Sequence, residues 1–484
     1  MSEQRASGSK RESMSKVDTA WLRMERPTNL MMITGVLMFA EPVTLEKLRR
    51  IIEQRFLAYP RFNQKAVDTA TGASWVVDED FDIDYHVRLT ALPGTGGKKE
   101  LERLASQLAS TPLDHSKPLW QFHLVERYDG GSALISRIHH CYADGIALVQ
   151  VLLSLTDVSR RPGRGRDLQR AWLKEDGAGV AKRVGAMDRY IKMGGKMLEK
   201  SMEMYRDPTL PMVLAREGSE IARELATALS LSDDPQTVLK GRLGVSKRVA
   251  WAEPLDLEEV KAVSRACDCT VNDVLLAAAT GALRSYLIER GEAIDGLTLR
   301  ATVPVNLRPL EHARKLGNHF GLVFLELPVG EANPMARLER VAAHMRELKN
   351  ARQAMVTYGL LAAVGMTTPK VQQFALELFS RKASLVATNV PGPQMPLYMA
   401  GSEISEMMFW VPQNGSIGLG ISILSYNGRV HFGLIGDARL VPDPEAVIQR
   451  FRPEFEKLLF VALMADWDAK VDADCADSLV GCRS

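Results

Sequence analysis

A junction between a strand and a helix, carrying two adjacent histidines, limits the folds open to this sequence. Residues 132–138 have the composition of a buried strand, and residues 146–153 form the apolar run of a buried helix. Between them stands the sequence HHCYADG, residues 139–145. A strand, a tight polar corner and a helix in this order are typical of an α/β fold. A histidine at such a corner is well placed to act as a base.

The two histidines are expected to point apart. Side chains alternate between the faces of a strand, so an extended chain would place His139 and His140 on opposite faces. One could then face a reaction centre while the other supports it, and a shared metal site is not expected. Asp144 lies where the chain turns, beside Gly145, and is expected to be a structural anchor. A histidine pair alone leaves open the alternative of a core histidine beside a turn.

Length and composition narrow the class of protein. A chain of 484 residues is too long for one ordinary core, which predicts two domains of similar size. The hydrophobic fraction of 46% and charged fraction of 25% are typical of globular proteins. A net charge of +2 gives no reason to expect nucleic-acid binding.

Targeting signals and common cofactor motifs are not found. The first residues lack the apolar core of a signal peptide, and no apolar run is long enough to cross a bilayer. The five cysteines show no zinc spacing, which favours a reducing, cytoplasmic compartment. Cys141 stands next to His140, but a neighbour in sequence at a turn need not be a partner in space, so we do not expect a thiol nucleophile.

Changes in composition divide the chain into five segments. Residues 1–13 and 469–484 are expected to be disordered ends. Residues 14–158 predict an α/β domain that contains the histidine motif, and residues 236–468 predict a second domain. Residues 159–235 predict a basic linker with helical character.

The linker contains a candidate membrane-binding helix. Large apolar residues recur at helical spacing between Met187 and Tyr205, while Arg189, Lys192, Lys196 and Lys200 lie largely off that stripe. A basic amphipathic helix of this type can lie on an anionic membrane surface. The alternative, a connector packed on its own protein, stays open.

Several blocks, taken together and in order, resemble the bacterial wax ester synthase/diacylglycerol acyltransferase family. They are HHxxxDG at 139–145, PLW at 118–120, VNDVLLA at 271–277, VPVNLR at 303–308, GN at 317–318 and ATNVPGP at 387–393. The resemblance covers roughly residues 14–468. It implies two chloramphenicol-acetyltransferase-like α/β domains with a substrate tunnel at their interface. PLW is expected to serve packing rather than chemistry.

The resemblance also implies a reaction, transfer of a fatty acyl group from CoA to a hydroxyl group. His140 would be the general base, and no acyl-enzyme would form. His139 would support its neighbour. Asp144 would be the structural aspartate, and Arg308 is its hypothetical partner.

Three polar residues are candidate donors to the oxyanion of the tetrahedral intermediate: Asn272, Thr388 and Asn389. For Asn272 a helix cap is an equal alternative. Asp273 is expected to support the fold. The 21 methionines could line an apolar channel, with Met31, Met32, Met407 and Met408 in adjacent pairs, although core filling is the simpler use of each.

The implied partners follow from this reaction. Long-chain acyl-CoA would be a co-substrate, no cofactor or metal would be bound, and the acceptor would be a fatty alcohol or diacylglycerol, giving wax esters or triacylglycerol. The protein would lie peripherally on the inner membrane or on lipid inclusions. Two alternatives stay open, a condensation-type amide synthase and a non-catalytic lipid-binding or droplet protein of the same fold.

Overall fold

The strand, corner and helix predicted around the histidine pair are present. A computed structural model describes residues 11–69, 72–161, 231–307, 316–350, 354, 357, 376–413 and 415–464. A β-strand, Gly131–His139, runs into the corner, and a helix, Gly145–Ser154, leaves it. Because the strand ends at His139, His140 belongs to the corner, and strand alternation does not set its direction.

The first part of the chain alternates strands and helices, as predicted. The helix Leu45–Ile51 continues as a short π-helix, Ile52–Phe56, and Pro60–Asn63 is a 3-10 turn. In chain order the elements are β1 Glu12–Ser13, α1 Lys16–Met24, β2 Met32–Phe39, α2 Leu45–Ile51, β3 Gln64–Thr69, β4 Gly72–Val77, α3 Ile83–His86, β5 Val87–Thr90, α4 Lys98–Ala109, β6 Trp120–Tyr128, β7 Gly131–His139 and α5 Gly145–Ser154.

Strand β7 lies in the middle of the first sheet, between β2 and β6. Both pairings are antiparallel, and β5 joins β6 in parallel at the edge. The β6–β7 hairpin turns at Asp129 and Gly130, whose φ angles are 47° and 76°. Left-handed backbone at both positions suits the twist of a two-residue hairpin, which explains the Asp-Gly pair there.

The second part supplies a second sheet and its covering helices. Its elements are β8 Lys247–Trp251, β9 Leu255–Asp256, α6 Leu257–Ala266, α7 Val271–Glu289, β10 Leu299–Asn306, β11 Phe320–Leu327, α8 Pro334–Asn350, β12 Leu385–Pro391, β13 Tyr398–Met399, β14 Ser402–Trp410, β15 Leu419–Tyr426, β16 Arg429–Asp437 and α9 Pro444–Met464.

The second sheet is mixed and is backed by three helices. Its strand order in the described chain is β11-β10-β12-β15-β16-β8, and β12 is parallel to both β10 and β15. Buried Arg337 of α8 joins the helices, since it donates to the Ala277 carbonyl of α7 and pairs with Glu454 of α9. A rigid helical layer therefore supports the strands that reach the site.

The two halves share a strand. β14, from the second part of the sequence, pairs antiparallel with β2 of the first sheet, with Met408 opposite Val36 and Trp410 opposite Thr34. The sheets therefore do not divide at a single point in the sequence, and the strand fixes the second half against the first.

Some predicted segments lie outside the described residues. They include residues 1–10, most of the linker with the basic helix at 187–205, and the tail from 465 onward. The expectation of a disordered end is corrected at Glu12 and Ser13. These two residues form β1 and pair with Trp75 and Ser74 of β4. Among the described helices, none is long and apolar enough to span a bilayer.

Candidate active site

His140 is the first residue after β7, and its main chain is held from both halves. Its N–H donates to the carbonyl of Met31 at 2.6 Å, and its carbonyl accepts from Nδ2 of Asn318 at 2.8 Å. Met31 precedes β2, whereas Asn318 precedes β11 in the second half. The position of His140 therefore depends on both sheets.

The imidazole of His140 lies in an aromatic, nearly dry environment. It stacks on Trp21 of α1, with ring centroids 4.1 Å apart and an angle of 18°, and Phe320 of β11 lies 5.6 Å away. The residue is 4% exposed. Burial lowers the pKa of His140 to about 4, since a charged ring would lose its hydration. At neutral pH the ring is therefore uncharged and can accept a proton.

His139 has separate surroundings. Its Nε2 lies 3.1 Å from a carboxylate oxygen of Glu25, and its Nδ1 accepts the main-chain N–H of Cys141 at 3.1 Å. Burial opposes the ionisation of Glu25, but hydrogen bonds from His115 and His139 hold the pKa of its carboxyl well below its usual range. A neighbouring carboxylate thus orients the ring of His139, which braces the corner.

Asp144 joins the corner to the second half. Its Oδ1 accepts the N–H of Ala147 at 2.9 Å and so caps α5, while Oδ2 accepts the N–H of His319 at 3.0 Å. The Asp144 main chain also donates to the Gly317 carbonyl at 3.3 Å. The expected anchoring role fits these contacts. Arg308, its hypothetical partner, lies outside the described residues.

A pocket opens between the two sheets at His140. Among the described residues its walls come from α1, the corner and β14 on one side and from β10, β11 and β12 on the other. The space is about 790 Å³, including its open mouth. Leu322, Val386 and Phe409 give it apolar walls, and Thr388 and Asn389 line it with His140. The tunnel that we expected at this interface stays a prediction.

Asn272 is not the helix cap that we considered. Thr270 caps α7, and its own main chain is bonded by Asp273 in a capping box. The Oδ1 of Asn272 instead accepts from Nδ2 of Asn389 at 2.7 Å. The three oxyanion candidates therefore differ in position. Thr388 and Asn389 line the pocket, whereas Asn272 does not line it and instead holds the side chain of Asn389.

Cys141 and the paired methionines take no part in the pocket. Cys141 is fully buried, and burial raises the pKa of its thiol well above the usual range, so it stays protonated. Met31, Met32 and Met408 are buried in the core, and no methionine is among the described residues that line the pocket. The simpler interpretation, core filling, is the one that the structure supports.

Comparison with known proteins decides the family. A sequence model of the wax ester synthase/diacylglycerol acyltransferase catalytic domain matches residues 14–275, and one of the C-terminal domain of the same family matches residues 316–459. The chain belongs to this family. It is therefore an acyltransferase, as the motifs predicted.

Relatives and solved structures agree with this assignment. A Mycobacterium tuberculosis protein named as a diacylglycerol O-acyltransferase is 30% identical over 471 residues, covering 93% of this chain and 91% of the relative. The solved wax ester synthase/diacylglycerol acyltransferase of Marinobacter aquaeolei VT8 superposes with a TM-score of 0.64 at 23% identity, covering 93% of this chain and 100% of that one. The first condensation domain of the calcium-dependent antibiotic synthetase gives 0.59 at 16% identity, covering 96% and 99%. The expected condensation-domain-like fold is confirmed.

Sequence reasoning missed helix α1 as part of this acyltransferase site. Asp18 and Trp21 lie on this helix and Glu25 caps it, and they contact Asn318, His140 and His139 respectively. The spacing of the three residues places them on one face of a helix. Two acidic residues on the same face as a tryptophan are unusual for a core helix. This pattern in the sequence could have indicated that α1 contributes to the site.

Replacing Asp144 should destabilise the acyltransferase by more than the loss of a helix cap. Asp144→Ala removes the cap of α5, which costs roughly 1 kcal/mol, and also removes the hydrogen bond that Asp144 accepts from the N–H of His319, for a total of about 2–4 kcal/mol. We expect this loss in the free energy of unfolding, measured with urea, together with a lower kcat.

The matched control is Asp256→Ala. Asp256 is also a helix cap, at the exposed start of α6, where its Oδ1 accepts from the N–H of Glu258 and of Glu259. Among the described residues, this carboxylate makes no hydrogen bond to the first half of the chain. It should cost roughly 1 kcal/mol and leave kcat unchanged. An equal loss of stability in the two variants would remove the anchoring role of Asp144.

Proposed function

We propose that this protein transfers a long-chain acyl group from acyl-CoA to the hydroxyl of a fatty alcohol or diacylglycerol, giving wax esters or triacylglycerol. The family match and the names of the relatives support this substrate class. Acyl-CoA serves as a co-substrate, and no bound cofactor is required.

The observation that carries the proposal is the setting of His140. A buried, uncharged imidazole lines an apolar pocket between the two sheets, at the position of the HHxxxDG motif. A hydroxyl group is a poor nucleophile at neutral pH, so a base within hydrogen-bond reach is required. Leu322, Val386 and Phe409 provide the apolar surface that an acyl chain needs.

The reaction needs one base and no covalent intermediate on the protein. His140 takes the hydroxyl proton on Nε2 as the alcohol oxygen attacks the thioester carbonyl. The C–S bond of the tetrahedral intermediate then breaks, and the imidazolium returns its proton to the departing thiolate, which leaves as CoA with a free thiol. The described pocket walls contain neither serine nor cysteine, and the Cys141 thiol stays protonated.

The negative charge on the tetrahedral intermediate requires hydrogen-bond donors. We assign this role to Thr388 and Asn389. Among the described residues, the Oγ1 of Thr388 makes two hydrogen bonds, both long at 3.4 Å, to the carbonyl of Ile421 and to Oγ of Ser422, so its hydroxyl can turn toward a substrate oxygen. Asn389 keeps a second amide N–H beyond the one given to Asn272. Because Asn272 already orients the amide of Asn389, this donor stabilises such charge without reorganisation.

The substrates place the protein at a lipid surface. Diacylglycerol and fatty alcohols are held in membranes and lipid inclusions, and the basic, amphipathic pattern at 187–205 suits an anionic surface. We therefore propose peripheral association with the inner membrane or with lipid inclusions through this segment.

His140→Ala should abolish acyl transfer. Loss of a general base lowers kcat by about 10²–10⁴-fold. The assay mixes purified protein with palmitoyl-CoA and hexadecanol or dipalmitoylglycerol, follows the free thiol and identifies the ester. Activity retained in this variant would overturn the base assignment, thiol release only with an amine acceptor would indicate an amide synthase, and no release with any acceptor would indicate a binding protein.

The control for this variant is His431→Leu. His431 lies in β16, is 2% exposed, and burial lowers the pKa of its ring to about 4, as for His140. It does not line the pocket. Its replacement should leave kcat within about twofold of the wild-type value, because it tests only the loss of a buried histidine.

The pH dependence of kcat should reflect the buried base. The neutral ring is the active form, and its pKa is lowered from 6.5 to about 4, so activity is lost as the pH falls through about 4 rather than through 6.5. With saturating palmitoyl-CoA and hexadecanol, we expect a level kcat from about pH 8 to 5. A decline centred near 6.5 in protein that stays folded by circular dichroism would contradict the burial of His140 during turnover.

Membrane binding should depend on the basic segment. Changing Arg189, Lys192, Lys196 and Lys200 to glutamine should abolish flotation with phosphatidylglycerol vesicles at low salt, because the attraction to anionic lipid is lost. A control changes four exposed basic residues elsewhere, Lys47, Arg50, Arg265 and Arg429, and should float like the wild type. Equal flotation of both variants would remove this segment from the binding surface.

A further inference from the structure

Asn318 lies beside the proposed base and is held by three hydrogen bonds. Its Nδ2 donates to the His140 carbonyl at 2.8 Å and to Oδ1 of Asp18 at 2.7 Å. Its main-chain N–H donates to the same Oδ1 of Asp18 at 3.1 Å. The residue is 2% exposed. The amide of Asn318 is therefore fixed against the residue that carries the base.

These contacts decide which end of the amide is nitrogen. Both partners of Nδ2 are oxygen atoms that accept hydrogen bonds, the carbonyl of His140 and the carboxylate of Asp18. With the amide reversed, Oδ1 of Asn318 would face two acceptors and neither would receive a proton. The stable orientation is the one in which Nδ2 faces these two oxygens. Oδ1 is then at the opposite end of the amide, away from them.

Three buried polar atoms at this place have no hydrogen-bond partner among the described residues and so are not bonded to one another as placed: Oδ1 of Asn318, Nδ1 of His140 and Nε1 of Trp21, whose ring stacks on His140. The first is an acceptor, and the second is a donor whenever it carries the proton of the neutral ring. Nδ1 is the ring nitrogen nearer to the main chain of His140, against which the amide lies. The ring of His140 interacts with the side chain of Asn318. Since buried polar groups are nearly always hydrogen-bonded, a rotation of the imidazole that brings Nδ1 to Oδ1 of Asn318 would satisfy both atoms.

We propose that Asn318 is a positioning residue for His140: its Oδ1 accepts the Nδ1 proton and holds the imidazole in the tautomer whose Nε2 lone pair faces the pocket. This inference rests on the proposed role of His140 as the base. In the other tautomer Nε2 carries the proton and cannot take one from the alcohol. Asn318 therefore acts on the chemical step and not on substrate binding, and Asp18 keeps its amide in place.

The tautomer can be observed directly in the wild-type protein. The ¹⁵N chemical shifts of histidine-labelled, deuterated protein distinguish a protonated ring nitrogen from an unprotonated one, and His140→Ala identifies the signals of His140. We expect Nδ1 protonated and Nε2 unprotonated at pH 7. A His140 ring protonated on Nε2 would overturn the proposal, and this measurement does not depend on whether any Asn318 variant folds.

Kinetics with Asn318→Ala provide the second test. With palmitoyl-CoA and hexadecanol we expect kcat to fall about 10–100-fold, the size typical of losing a residue that orients a reacting side chain, while KM changes by less than about twofold. The ¹⁵N spectrum of this variant should show a mixture of tautomers. Wild-type kcat in folded Asn318→Ala would overturn the proposal.

Asn29→Ala is the matched control. Asn29 is also a buried asparagine, 4% exposed, whose Nδ2 donates to a carbonyl, that of Gly415, and whose Oδ1 has no partner among the described residues. It does not line the pocket. Its replacement should lower the melting temperature without changing kcat or the tautomer of His140. A similar fall of kcat in both variants would show a general effect of losing a buried amide.

The two proposals fail in different ways. If His140→Ala keeps full acyl transfer, His140 is not the base and the role of Asn318 falls with it. If His140→Ala is inactive while Asn318→Ala has wild-type kcat and an unchanged ¹⁵N spectrum, the base assignment stands and only the role of Asn318 is wrong.

Discussion

The docking of residues 317–319 onto the histidine corner is the contact on which the site depends. Gly317 donates to the Tyr142 carbonyl at 3.0 Å and accepts from Asp144, His319 donates to the Asp144 carboxylate, and Asn318 donates to the His140 carbonyl. Each of these bonds joins the first half to the second. Several of these bonds involve main-chain atoms, so they depend on how the two halves pack together and not on one side chain alone. The corner therefore needs the second half to hold its shape. β14, which crosses into the first sheet, keeps the halves in register for this contact.

Burial sets the protonation state of His140 and also means that protein groups, not water, must hydrogen-bond its ring. Removing the ring from water lowers its pKa to about 4, so the imidazole is uncharged at neutral pH. The same burial removes the water that would otherwise satisfy its nitrogens, so protein groups must do so. Stacking on Trp21 fixes the plane of the ring but offers no hydrogen bond. The polar contacts around the corner, from Asp18 to Asn318 and from Glu25 to His139, follow from this need.

The sequence predicted those parts of the structure that depend on local pattern. β7, the corner after it and α5 depend on strand composition, turn chemistry and an apolar run, which neighbouring residues determine. The family blocks gave the fold and the reaction class. What the sequence could not supply were contacts between distant residues: Trp21 on His140, Asn318 on Asp18, and Asn389 on Asn272, which are 119, 300 and 117 positions apart. Asn272 is an example. Its place in the first turn of α7 suggested a helix cap, but in the fold its side chain accepts a hydrogen bond from Asn389 of β12.

A pocket between two sheets suits a transfer without a covalent intermediate. When no acyl-enzyme stores the acyl group, the thioester and the alcohol must meet the base at the same moment, so both need access to one imidazole. The pocket at His140 has walls from both halves, with apolar side chains among them. The reacting groups suit such a pocket, because a thioester, a hydroxyl and a neutral imidazole all enter uncharged. In the proposed reaction, charge develops only in the transition state, where the amide of Asn389, held by Asn272, and the hydroxyl of Thr388 on β12 are placed to donate hydrogen bonds to it.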